Sequence, residues 1–250
     1  MSDLLPRQKL LHAAYDKLWS QRSNTEDSPD KSRAAIARRI FSTIADKDGA
    51  CTVLDIGSGP LPVELEVAHM LAQKPHQELR DKFRDNGRFY SLDLSLIPRN
   101  RIVKASRRIP LLHTQADAER LPYRTDSIDV VVANHSFDML GVSSAEFERS
   151  LLEVSRVLKP NGLFMANFHH ASLGSSFTEI VERQTDLLVA DTFVAQYYDP
   201  IRENPYFETE NDIQSHLHAA GLHIGQIALE SDNYDQWWSV EATSLSSALV

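Results

Sequence analysis

The chain has 250 residues, 42% of them hydrophobic and 24% charged, an ordinary balance for a globular protein with a substantial core, and one domain is the simplest division. Its formal charge of −9 argues against a general binder of nucleic acid or of a membrane surface, either of which needs excess positive charge. Cys51 is the sole cysteine, so an intrachain disulfide and a cysteine-based zinc site are excluded, no metal site is read, and a reducing, cytoplasmic setting is expected.

The opening residues, MSDLLPRQKLLHAAYDKLW, carry charges throughout and have no long apolar run, the pattern of neither a signal peptide nor a membrane span. Leu10, Leu11, Ala14, Leu18 and Trp19 recur at helical spacing and predict an amphipathic helix over residues 4–20. The polar stretch SQRSNTEDSPD reads as a loop. A second helix is predicted over 32–44, with Ile36, Ile40, Phe41 and Ile44 on one side.

From Cys51 short apolar runs alternate with helical segments. CTVLDI, RFYSLDL, IPLLHTQA, IDVVVAN and GLFMANF read as strands, and 63–71, 97–108 and 145–157 as helices between them. Strands alternating with helices imply a parallel sheet covered on both faces, and IDVVVAN is apolar through its centre as such a strand should be. After GLFMANF the rhythm breaks. Residues 171–207 read as an irregular or helical insertion, ETENDIQSHLHAAGL as a helix closed by Gly221, and HIGQIALE and QWWSVEAT as two strands. The short loop SDNY between those strands suits an antiparallel pairing.

In an open parallel sheet, ligands bind outside the carboxyl ends of the strands. Each of the first four strands ends in groups suited to holding one. Asp55, Gly57, Ser58 and Gly59 follow the first, Asp93 closes the second, Asp117 follows the third and Asn134 closes the fourth. Taken singly, a glycine pair after a strand is an ordinary turn, Asp93 could cap the next helix, and Asp117 could start the turn before Leu121-Pro122. Gly57-Ser58-Gly59 with Asp93 downstream also loosely matches a nicotinamide-cofactor fingerprint, but that pattern wants a third glycine at position 62, where proline stands. Asp129 starts its strand at the opposite end and reads as structural.

The ordered set resembles the class I S-adenosylmethionine-dependent methyltransferases, particularly those acting on small molecules, over about residues 32–230. VLDIGSGP is similar to the first family motif and SLDLS to the acidic second motif. QADAERLPYRTDSIDVVVANHSFDML and LLEVSRVLKPNGLFMANF are similar to the segments that follow. The resemblance implies a Rossmann-like, doubly wound α/β fold: a mostly parallel seven-stranded sheet with an antiparallel C-terminal strand and helical cap elements. It implies a single domain over 1–250, in which residues 1–45 form N-terminal cap helices and 171–207 a lid.

It also implies roles. The backbone of Gly57, Ser58 and Gly59 would bend around the methionine part of S-adenosylmethionine, with Asp55 on its amino group. Asp93 would accept from both ribose hydroxyls, and Leu94 would pack on adenine. Asp117 and the Ala118 backbone would meet the adenine edge, and Asn134 would lie beside the methionine end.

Two departures from the family pattern stand out. Leu61 occupies a place where the family commonly has glycine, so a shifted helix or weaker cofactor affinity is an expectation. The second is that Asp55 and Asp93 lie 38 positions apart, longer than usual, and the surplus AQKPHQELRDKFRDNG is polar and reads as an added helix or surface loop.

Methyl transfer from a sulfonium needs its reactants in line and water excluded, with a general base only where the acceptor keeps a proton. Candidate bases are His135 and His169. His170, Tyr15, Trp19 and Tyr197 are candidates to line the acceptor site, and Phe177, Phe193, Tyr198, Tyr206 and Phe207 add aromatic material to the lid. For any single aromatic, packing is the simpler role. As a group they favour a small organic acceptor. Arg101, Lys104 and Arg108 share a helical face that could meet phosphates, although a solvated face is the commoner meaning of such a run. A macromolecular methyltransferase and a non-catalytic S-adenosylmethionine-binding module therefore remain alternatives.

Overall fold

The computed structural model describes residues 31–59, 61–94, 99–137, 144–170, 207, 209–231 and 236–244, with backbone alone at 99–101, 144 and 169. The predicted helix over 4–20, Tyr15, Trp19, Tyr197 and nearly all of the 171–207 insertion lie outside these residues.

Seven strands form one sheet in the order β3-β2-β1-β4-β5-β7-β6. They are β1 (Thr52–Ile56), β2 (Arg88–Asp93), β3 (Leu111–Gln115), β4 (Ile128–Asn134), β5 (Leu158–His169), β6 (Leu222–Ser231) and β7 (Gln236–Ser244). β1 to β5 pair in parallel, and β7 runs antiparallel to both β5 and β6. The expected mostly parallel seven-stranded sheet with an antiparallel C-terminal strand is thus what the chain forms. The strand order reverses between β1 and β4, where a doubly wound sheet opens a crevice at its carboxyl end.

The helices are α1 (Lys31–Asp46), α2 (Pro62–Leu71), α3 (Gln77–Asn86), α4 (Arg99–Ser106), α5 (Ser144–Val157) and α6 (Glu210–Ala219). One apolar layer joins α1 and α2 to a sheet face through Ile36, Ile40, Ile44, Val63, Val67, Val53, Val130 and Met165. The other joins α5 and α6 to the opposite face through Phe147, Leu151, Ile213 and Leu217 against Leu54, Val131, Phe164 and Val240. β4 is buried along its length apart from its last residue, because it is sandwiched between these layers.

The polar surplus between β1 and β2 folds as α3, pinned by the fully buried Phe83 and by Lys82, which pairs with Asp48 at 2.7 Å. α4 ends at Ser106, two residues short of the sequence expectation. β5 starts at Leu158, earlier than the run GLFMANF indicates. Its pairing jumps from Ile128↔Leu158 to Val130↔Leu163, and the bulge absorbs Asn161 at φ 61°. Phe207, read as lid material, is 1% exposed and packs against Phe147 and Phe168, so it belongs to the core. Among the described residues, no helix is long and apolar enough to cross a membrane.

Candidate active site

Side chains alternate along a strand, so Asp55, Asp93 and Asn134 share the sheet face covered by α1 and α2. All three lie at carboxyl ends. After β1 the backbone turns through Gly57 at φ 67° and Gly59 at φ 47°, a region closed to most side chains. A Cβ on Gly57 would come within 2.3 Å of the Ser136 Cβ, so the loop after β1 packs its bare backbone against the Ser136 side chain after β4. The Gly57 and Ser58 amides both donate to Leu92 O, at 2.7 and 3.1 Å, and the Gly59 amide donates to Asp93 Oδ2 at 2.8 Å. The loop is therefore tied to the end of β2, and Asp93 helps to hold it there.

Pro62 occupies the first turn of α2, as its fixed φ and missing N–H favour. Leu61 precedes it in left-handed conformation, φ 66° and ψ 40°. That conformation is disfavoured by about 1–2 kcal/mol for a residue with a Cβ. Its side chain is fully buried in the layer with Ile36, Ile40 and Val67. The bulk that raised a doubt about the cofactor site therefore sits in the core beneath α1, and the backbone keeps the glycine-like turn.

Buried carboxyls gather around this loop. Asp55 is 2% and Glu64 0% exposed. Burial pushes both carboxyls above their usual range, and each lies within hydrogen-bonding reach of the other, with Asp93 adding repulsion. Both Glu64 oxygens and the Ser58 hydroxyl are buried without a hydrogen-bond partner. Groups left in this state mark a place built to receive a donor, and a cationic amino group fits it.

At the end of β4, Asn167 Nδ2 donates to Asn134 Oδ1 at 2.9 Å. Ser32, in the first turn of α1, donates to the same oxygen at 3.5 Å. His135 follows at φ 50°, its amide donating to Asn167 O at 3.1 Å, and its Nε2 stands 3.5 Å from Ser32 Oγ. The fold thus brings Asn134 and His135 together under α1, so residues 31–45 form a layer of the core whose first turn reaches the crevice. His170 instead packs against Trp238, its ring tilted and 5.8 Å away, and Trp238 lies in the layer on the opposite face. The side chain of His169 lies outside the described residues.

Asp117 begins a single 3-10 turn (Ala118–Arg120) and accepts from the Glu119 amide at 3.0 Å, the local turn that the sequence also allowed. A brace that sequence reasoning missed holds this segment. Arg156 donates to Leu121 O at 3.0 Å, to Tyr123 O at 2.9 Å and to both Glu153 oxygens, while Glu153 Oε2 accepts from the Leu121 amide at 2.8 Å. The Arg156 guanidinium holds the Glu153 carboxyl below its usual range, so the brace is charged. On α4, Lys104 is exposed together with Arg107 and Arg108 just beyond it, as a solvated face requires.

Residues 71–166 match a family model described as a methyltransferase domain. Over that span the chain is similar to methyltransferase domains. The matched span begins at the end of α2, so β1, its glycine loop, Leu61 and Glu64 precede it. A search of curated proteins finds no match.

Solved structures show the same methyltransferase fold. Magnesium protoporphyrin IX methyltransferase from Synechocystis PCC 6803, with S-adenosylhomocysteine bound, is 12% identical with a TM-score of 0.63, covering 95% of this chain and 99% of its own. The 1,6-didemethyltoxoflavin-N1-methyltransferase of Burkholderia thailandensis is 13% identical with a TM-score of 0.59, covering 97% and 92%. A cyclase is 17% identical with a TM-score of 0.51, covering 84% and 81%, so the fold by itself does not specify a reaction.

Proposed function

We propose that the chain, as one domain, transfers the methyl group of S-adenosylmethionine to a small organic acceptor. The observation that carries this reading is the loop turned left-handed at Gly57 and Gly59, tied to Asp93 and faced by the buried Glu64 carboxyl, whose oxygens lack a donor. When bound there, the cofactor supplies a methyl on a sulfonium leaving group. The chain's own work is positioning: the loop backbone lets the ligand approach, Asp55 meets its amino group and Asp93 its ribose hydroxyls. Leu94, Asp117 and Ala118 flank the adenine, and Asn134 lies by the methionine end.

His135, beside Asn134 and Ser32, is the candidate base on this face; it takes the acceptor's proton where the acceptor carries one. The proposal extends to a lid drawn from the residues before α1 and from the insertion short of Phe207, with Tyr15, Trp19 and Tyr197 as its candidate contacts to the acceptor. Two of the proteins that share the fold carry small-molecule substrates in their names, which supports an acceptor of that size.

Titration calorimetry tests the reading. Wild-type protein should bind S-adenosylmethionine and S-adenosylhomocysteine, and Asp93→Ala should weaken both by about tenfold to a hundredfold, the worth of hydrogen bonds to a charged group. Absence of binding to the wild type would overturn it.

A further inference from the structure

We propose that Glu64 and Asp55 form one proton-sharing pair that receives the cofactor's ammonium group, and that the ligand displaces the shared proton as it binds. The proposal rests on the reading that the chain binds S-adenosylmethionine, and it assigns the site a second carboxyl.

The geometry comes from the turn. Asp55 is the fourth residue of β1 and Glu64 the third of α2, and the left-handed loop and Leu61 fold the helix start back over the strand end. Both side chains are shut off from water, and each carboxyl faces the other. Two carboxylates in contact in such a place cannot both ionise, so a proton must lie between them. Apart from Asp55, no donor among the described residues reaches either Glu64 oxygen, although ordinary buried carboxylates collect several.

Among the described residues, the charged surroundings offer little relief. On β2, Asp93 adds a further repulsion. On β3, His113 bonds Ser91 through Nδ1 at 2.9 Å, and burial holds its imidazole toward the neutral form. From α1 and the turn after it, Arg39 pairs with Glu241 and Lys47 with Asp129, and Arg38 is exposed. No group of three acidic, histidine or cysteine side chains among the described residues is arranged to hold a metal ion. An organic ammonium supplies what is missing: one positive charge and up to three N–H donors for the two facing carboxyls.

The proton balance is simple. An α-ammonium group keeps its proton at about pH 6.5. Seating it between Asp55 and Glu64 makes two acceptors necessary, so the shared proton leaves to solvent. Affinity should therefore rise with pH, by up to about tenfold per unit for one proton released.

The test is titration of S-adenosylhomocysteine at about pH 6.5 in two buffers of different ionisation enthalpy, for the wild type and Glu64→Gln. The wild type should release about one proton per ligand. Glu64→Gln replaces the shared proton with an amide donor to Asp55, so it should bind with release near zero. Thermal unfolding confirms that this variant folds; should it not, the wild-type proton count and its change with pH decide alone. Binding to the wild type without proton release overturns the proposal and leaves the cofactor reading standing. The same release from Glu64→Gln overturns it too. Absence of any binding to the wild type overturns both.

Discussion

Asp55 and Asp129 are buried aspartates on adjacent strands, and the protein treats them in opposite ways. Asp129, at the start of β4, accepts from Lys47 at 2.9 Å, Lys159 at 2.8 Å and the Thr52 amide at 2.9 Å. Burial alone would raise its carboxyl, but the bonds from Lys159, Lys47 and Thr52 outweigh burial and hold it below the usual range. Asp55, near the end of β1, is raised by burial and further by Asp93, which the hydrogen bond with Glu64 offsets only in part. A charge with full compensation fastens the turn after α1 and the starts of β1 and β5. A charge deprived of it stores an unfavourable arrangement that a ligand can relieve, and the two ends of the sheet divide stability and binding accordingly.

The largest test strikes the satisfied end. Asp129→Ala should lower unfolding stability by about 3 kcal/mol, the lower part of the range for breaking a buried ion pair. The lower part applies because Lys47 and Lys159 are 44% and 41% exposed and can turn to water. Urea denaturation measures it, and affinity for S-adenosylhomocysteine should stay unchanged. The sign with pH follows from the lowered carboxyl: the contribution of Asp129 is complete above about pH 4 and is lost as pH falls through its folded value. The variant should therefore lose less stability in acid than the wild type. A large loss of ligand affinity would erase the division between the two ends.

A medium-sized test asks to which side Leu61 belongs. Leu61→Gly removes a left-handed strain of about 1–2 kcal/mol but also deletes a fully buried side chain, worth about 2–5 kcal/mol when a cavity remains. The net should be a destabilisation of about 2 kcal/mol with ligand affinity intact. Weaker binding, or a more stable protein, would show that the side chain shapes the cofactor site after all.

Much of this division is legible in the sequence. The strand ends are readable because each apolar run stops at a polar or glycine residue, and Asp129 stands apart because it begins its strand. Leu61 is visible as a departure, but only the backbone shows that it keeps the glycine-like turn while its side chain joins the core. Glu64 escapes notice, since a glutamate in the first turn of a helix usually satisfies the helix dipole from the surface. Its spacing carries a signal: Glu64, Ala68 and Leu71 recur at i, i+4 and i+7, the buried face of α2. Arg156 and Glu153 are unreadable because their partners, the backbone groups of Leu121 and Tyr123, lie over thirty residues away in the chain. Phe207 misleads because an aromatic beside an irregular segment looks the same whether it lines a lid or fills a core.

The smallest effect bears most directly on the unsatisfied end, and it needs no ligand. Because the folded-state values of Asp55 and Glu64 are raised, the folded protein keeps protons that the unfolded chain releases above about pH 4. Stability must then fall as pH climbs, by up to about 1.4 kcal/mol per unit for each proton so held. Glu64→Gln removes one titrating group and gives Asp55 a neutral donor, so the variant should gain on the wild type by about 1 kcal/mol per unit between about pH 5 and about pH 7. Taking the difference between the two proteins cancels His113, Asp129 and every other group that titrates alike in both. A difference that stays constant with pH would mean that Asp55 and Glu64 already ionise freely, and that the two ends of the sheet hold their buried carboxyls in the same way.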